Sequence, residues 1–212
     1  MFVAPRYATE IWSGSNACRF SICDSQVIEF KFSPIPKGMG LFSEVYTYMD
    51  TGHFYFLRNQ YFIDFPDPYL MQNKEKVNGQ THNRPCFYAF EDVSSKGLFW
   101  LVPFSSQTNK FQSIYNTKIA KYHICDTIVF GDVLGSRKAF LIQNMCPVIS
   151  KYINNEYIDS SANIPVRISG SLEKDIITKA KRVLALQRQG KKLIFPDVLK
   201  IESALKESLK QE

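Results

Sequence analysis

From residue 53 to residue 145 the chain is a succession of short aromatic and β-branched runs closed by turn residues. After residue 171 its apolar spacing changes to that of a helix. Runs at His53–Asn59, Phe87–Val93, Leu98–Phe104, Asp126–Val133 and Ala139–Met145 read as strands. Ser94-Ser95-Lys96-Gly97 reads as a hairpin turn, with a glycine available for positive φ. Gly135-Ser136-Arg137-Lys138 reads as a second turn. Phe65-Pro66-Asp67-Pro68 excludes a regular helix or central strand, and Met71 to Thr81 reads as a polar loop turning at Asn78-Gly79. Ser171 is the expected cap of a helix ended by Gly190, with Leu172, Ile176, Ala180, Val183 and Leu184 as its apolar stripe. Lys174, Lys181 and Arg188 are expected on the opposite face. A second helix, from Asp197, is expected to bury Val198, Ile201, Leu205 and Leu209. Strands first and helices last predict an α+β fold, a twisted antiparallel sheet with C-terminal helices packed on it.

Residues 1–48 read differently, with nine aromatics and only one plausible strand, Val27–Phe32. Met49 stands a few residues before the first strong strand and is an alternative start to the self-contained unit 49–212. The expectation is an extension, 1–48, without which the rest folds. No run of 18 apolar residues occurs, and Met1 to Trp12 lacks the basic-then-apolar order of a secretory signal. The five cysteines are scattered, with no CxxC and no zinc-like His/Cys spacing, so reduced thiols in a cytoplasmic protein without metal or cofactor are expected. Residues 167–212 carry eleven Lys/Arg against six Asp/Glu, a net +5 of the chain's +6. Such a tail suits a polyanion, although a solubilising helix face has the same composition.

The chemistry-bearing residues cluster around one hairpin. His82-Asn83-Arg84-Pro85 precedes its first strand, and Ser105-Ser106 with Lys110 follows its second. Antiparallel pairing brings these two ends together. The proline holds Arg84 extended, a good presentation for a bidentate phosphate contact. The two serines offer hydroxyls, and His82 titrates near neutral pH. A phosphodiester is the substrate class that suits such a patch. Each residue also has a plain structural role open to it: serines that satisfy a turn, an arginine in a salt bridge, an incidental loop histidine. Tyr61, just past the first strand, reads on its own as a half-buried aromatic.

Several short motifs then align in order: Phe54-Tyr55…Tyr61, Asn83-Arg84-Pro85-Cys86-Phe87, Val102-Pro103-Phe104-Ser105-Ser106…Lys110 and Phe140-Leu141-Ile142-Gln143-Asn144-Met145. Over about residues 53–168 and the following helices the chain resembles the endoribonuclease toxins of type III toxin–antitoxin systems. These are the ToxN, AbiQ and CptN group, and the CptN branch is the best match. The resemblance implies a compact, strongly twisted half-barrel sheet like that of the MazF/Kid toxins. It implies RNA cleavage without metal, leaving a 2′,3′-cyclic phosphate. It implies inhibition by a repetitive small antitoxin RNA that the toxin itself processes, in a closed toxin–RNA assembly. The family's catalytic hydroxyl falls on Ser106, its tyrosine on Tyr61 and its following basic residue most nearly on Lys110. The family's lysine before the second strand falls on Pro85, leaving Arg84 as the nearest cation. The expected catalytic set is therefore Ser106, Arg84, Lys110, Tyr61 and His82. Asn83, Ser105, Lys174, Lys181 and Arg188 are the expected RNA contacts. The alternatives are a non-catalytic RNA-binding module, or a protein-interaction domain whose basic helix is merely solvated.

Overall fold

The computed structural model describes residues 49–77 and 80–211, without the side chains of residues 75–77 and 80–82. The strand expected over Val27–Phe32 and the turn at Asn78-Gly79 lie outside the described residues. The described chain is α+β. Strand β1 (Phe54–Leu57) and a short helix α1 (Asn59–Asp64) come first. The ribbon strands β2 (Lys74–Val77) and β3 (Gln80–Asn83) follow, and then the hairpin β4 (Pro85–Glu91) and β5 (Leu98–Ser105). Helix α2 (Thr108–Tyr122) precedes the hairpin β6 (Ile128–Val133) and β7 (Ser136–Leu141). Strands β8 (Cys146–Ile149) and β9 (Ile153–Glu156) lead to helices α3 (Gly170–Arg188) and α4 (Val198–Gln211).

The main sheet runs β6-β7-β5-β4-β1-β9, with β8 also paired to β5, and the order does not close on itself. All its pairings are antiparallel. The long strand β5 serves two neighbours. Leu98–Leu101 pair with β8, and Phe104 and Ser105 pair with β7.

Alternation along the strands sorts two cores. Phe54, Phe87, Val102, Phe104 and Phe140 face α3, where Ile176, Ala180, Val183 and Leu184 meet them. Phe54 stands edge-on to Phe87 and to Phe104, each at 5.4 Å between centroids. Such pairs add about 0.5–1.5 kcal/mol each beyond area burial. Tyr55, Leu57, Cys86, Tyr88 and Leu101 face the other way, against Tyr61, Ile201 and Leu205.

The helical stripes of the C-terminus form as expected, with two corrections. Ser169, not Ser171, caps α3, accepting the Leu172 amide at 3.4 Å. Leu209 on α4 is only partly buried. Gly190 follows the end of α3 at φ +89, a conformation that costs a residue without Cβ little.

The middle of the chain departs further. Where a polar loop was expected, β2 and β3 form a ribbon, pairing Lys74 with Asn83 and Glu75 with His82. Residues 108–122, with no expected element, form α2. Its Phe111 is buried, and Ile114, Tyr115 and Ile119 pack beside it at helical spacing. His123 ends α2 at φ 59, in the left-handed region. His53 is buried and pairs through Nδ1 with Glu156.

Gly131 permits a close approach. A Cβ built there lies 2.0 Å from Cδ2 of Leu172. Gly131→Ala is therefore expected to destabilise the fold by about 1–3 kcal/mol. Leu172→Ala in the same chain should recover part of that loss. Urea midpoints of the single and double variants check it, and additive losses would refute the contact.

Candidate functional site

Two strand pairings build the site. Cys86 pairs with Pro103, so the start of β4 and the exit of β5 lie at one end of the sheet. Ser105 pairs with Ala139, so Ser106 falls beside Lys138 of β7. Alternation gives Ser106 the face of Phe104 and Lys138 the face of Phe140. The Lys138 ammonium donates to the Ser106 hydroxyl oxygen, Nζ to Oγ, at 2.8 Å. Ser106 is exposed and Lys138 half-buried.

Lys138 reaches this position because the β6–β7 turn is short. Only Leu134 and Gly135, at φ 49 and φ 70, make the turn. The turn expected over 135–138 is corrected accordingly: Ser136, Arg137 and Lys138 are strand residues. Arg137 donates to Oε1 of Gln112 at 3.1 Å, and its guanidinium lies 4.8 Å from the Phe130 ring centre. These contacts fix β7 against α2.

Helix α2 begins two residues after Ser106. The Thr108 amide donates to the Ser106 carbonyl at 2.8 Å, and the Phe111 amide to that of Gln107 at 3.2 Å. No acidic residue occupies the first turn. The helix thus presents its partial positive end beside the Ser106–Lys138 pair. Lys110 is exposed in that turn, on the helix rather than in a loop, with Nζ 5.7 Å from the Phe111 ring.

This arrangement has a chemical consequence. An ammonium is a donor only, so it occupies the Ser106 oxygen and leaves the hydroxyl proton to be donated elsewhere. A hydroxyl donor and an ammonium together at one exposed point, beside the start of a helix, suit an anion.

Other expected site residues stand elsewhere. Tyr61 is fully buried and donates its hydroxyl to the Pro147 carbonyl at 2.8 Å. Burial pushes its pKa well above the usual tyrosine value. The expected catalytic tyrosine is a core residue, because α1 turns Tyr61 inward against Phe65 and Tyr152. Ser105 is also buried, and its Oγ accepts the Gln107 amide at 3.2 Å. It shapes the exit of β5.

Arg84 stands at the sheet end of Ser106, but on the strand face of Cys86. Its amide donates to Asn73 O at 2.7 Å and its Nη1 to Gln72 O at 3.3 Å. Asn83 is exposed at the end of the ribbon, and the side chain of His82 lies outside the described residues.

On α3, Lys174 and Lys181 are exposed, Lys181 with Nζ 5.3 Å from the Phe90 ring. Arg188, one heptad on from Lys181, is instead engaged within the chain. Its Nη2 bridges Asp92 Oδ2 and Glu202 Oε1, each at 2.6 Å. A heptad drifts by about 20° on a straight helix, which carries Arg188 toward the edge of the apolar stripe. Lys206 joins Glu202 at 2.6 Å, Arg182 meets Asp126 at 3.3 Å and Lys179 meets Asp175 at 2.9 Å. Arg188, Lys206, Arg182 and Lys179 are thereby paired within the chain.

Sequence reasoning missed Lys138. The signal available was Leu134-Gly135 as a two-residue turn, which makes Lys138 the strand partner of Gly131. Cys86 and Cys146 are buried, and burial pushes the Cys146 thiol up to about 12, so neither is a nucleophile. Among the described residues no three His, Cys, Asp or Glu side chains gather as a metal site. No described helix is long and apolar enough to cross a membrane. No protein-family model matches the sequence, and no curated protein matches it.

Proposed function

We propose that the chain is a sequence-selective endoribonuclease, the toxin of a type III toxin–antitoxin system. The observation that carries this reading is the 2.8 Å bond from Lys138 to the exposed Ser106 at the N-terminus of α2. In the proposed reaction the ribose 2′-oxygen attacks the adjacent phosphorus in line. The P–O5′ bond breaks, leaving a 2′,3′-cyclic phosphate and a 5′-hydroxyl. Negative charge grows on the non-bridging oxygens, and the Ser106 hydroxyl, Lys138 and the positive end of α2 stabilise it. Lys110 holds a neighbouring phosphate. The nucleophile belongs to the substrate, so proximity supplies part of the rate. With Tyr61 in the core, His82 is the remaining proton-transfer candidate, on the ribbon that leads into β4. The open antiparallel sheet with α3 and α4 is compatible with a MazF/Kid-like half-barrel. A repetitive antitoxin RNA, processed by the toxin, is the proposed inhibitor, in a closed toxin–RNA assembly. The burial of Tyr61 also favours a second reading, in which the same cluster binds RNA without cutting it.

Incubation with RNA in EDTA separates the two. The enzyme produces fragments with cyclic-phosphate ends, whereas a binding module retards intact RNA in a gel at low salt. Neither retardation nor cleavage at any salt refutes both.

A further inference from the structure

Lys118 occupies a position that packing alone would give to an apolar residue. It follows Phe111, Ile114 and Tyr115 on the inward stripe of α2. Its half-buried Nζ donates to Thr127 Oγ1 and to Gln143 Oε1, each at 2.7 Å, both neutral acceptors. An ammonium has three donors, so one remains. Desolvation lowers its pKa below the usual lysine value, so holding charge here has a cost.

Next to it stands Phe195, 45% exposed, with its ring centre 6.0 Å from Nζ. The Phe195 amide donates to the Gln143 carbonyl at 2.8 Å, and the Asn144 side chain donates to the Tyr69 carbonyl at 3.3 Å. Residues 143–144 thereby hold two exposed rings, Phe195 and Tyr69, the latter 60% exposed.

Tyr69 and Phe195 line an open recess of about 430 Å³ together with Asp67, Gln187, Lys192 and Asp197, and Lys118 adjoins it at Phe195 rather than lining it. The Gln187 oxygen is used by the amides of Leu193 and Ile194, at 2.7 and 3.0 Å, which turns its NH₂ group to donate elsewhere. The nearby acids are engaged locally. Asp67 accepts the Asp197 amide at 2.8 Å, and Asp197 accepts the Lys200 amide at 3.3 Å.

We propose that this recess is a second single-strand RNA subsite, taking one unpaired nucleobase against Phe195 and Tyr69, with its phosphate on Lys118. Exposed rings stack on any base, the amide donor meets a base carbonyl, and the spare ammonium proton meets a phosphate oxygen. The proposal rests on the RNA reading above and adds a site distinct from Ser106. It also explains a lysine in an apolar stripe.

The test is the affinity of a short 2′-O-methyl RNA, which lacks the attacking hydroxyl and stays intact. Tyr69→Ala with Phe195→Ala should weaken binding by about 10-fold or more, since stacking contributes about 1–3 kcal/mol per base. Lys118→Met should reduce the single-strand salt slope by about 0.7. Both rings are exposed, so the double variant should fold, and circular dichroism checks that. Unchanged affinity and slope in folded variants, with the intact protein still binding, would overturn the subsite alone. Failure of the intact protein to bind or cleave RNA would overturn the RNA reading and the subsite with it.

Discussion

Ser106→Ala is expected to lower the single-turnover rate of RNA cleavage by about 100- to 1,000-fold, the usual cost of one lost donor to a developing oxyanion. The protein should stay folded, because Ser106 is exposed and only its side chain changes. Ser105→Ala, in contrast, removes a buried acceptor from the Gln107 amide and should act on stability rather than on chemistry. Tyr61→Phe separates the account from the family's tyrosine role most sharply. Its hydroxyl serves the Pro147 carbonyl in the core, so the change should cost about 1–3 kcal/mol of stability and leave the rate of folded protein nearly unaltered. A Tyr61→Phe variant that is stable but inactive would return the tyrosine to the mechanism.

Asp92→Asn is expected to destabilise the protein by about 3–5 kcal/mol, the range for breaking a buried charge pair on one side. Asp92 is 5% exposed. It accepts from Ser94 Oγ at 2.6 Å, Trp100 Nε1 at 3.1 Å and Arg188 at 2.6 Å. Burial alone would raise its pKa, but the bonds from Ser94, Arg188 and Trp100 more than offset this and hold it far below the usual carboxylate value. The sign follows from linkage. A carboxyl with a depressed folded pKa contributes stability above its unfolded value, near pH ~4, and loses it as pH falls toward the folded value. Urea unfolding at neutral pH should show the full loss in Asp92→Asn, and the gap to the parent should narrow below pH ~4. A gap independent of pH would assign the effect to packing instead. Arg188→Ala leaves the buried carboxylates of Asp92 and Glu202 without that partner and should cost at least as much.

The sheet and the last two helices were legible because burial writes itself into spacing. Aromatic and β-branched runs bounded by turn residues marked β4 and β5, and the stripe of Ile176, Ala180 and Val183 marked α3. Helix α2 was not legible for a physical reason. Its Asn, Thr, Ser and Tyr residues are weak helix formers, its N-cap Gln107 makes no side-chain cap bond, and only Phe111 is buried. Packing of Ile114, Tyr115 and Ile119 on β6 and β7 sustains it. The site was legible at Ser106, from its place at a strand exit. Its partner was not, because Lys138 comes beside Ser106 only through the β5–β7 register and a two-residue turn. Charge along the tail was legible only as a sum. A net +5 does not say that Arg188, Arg182, Lys179 and Lys206 already face carboxylates of the same chain.

The central claim is that Ser106 works with Lys138 rather than with the lysine that follows it in sequence. Single-turnover cleavage of one RNA by Lys138→Met and by Lys110→Met, with circular dichroism as the folding check, tests it most directly. The account predicts a loss of about 100-fold or more for Lys138→Met and a several-fold loss that added salt mimics for Lys110→Met. A Lys138→Met variant that cleaves at the parental rate, beside an inactive Lys110→Met, would contradict it.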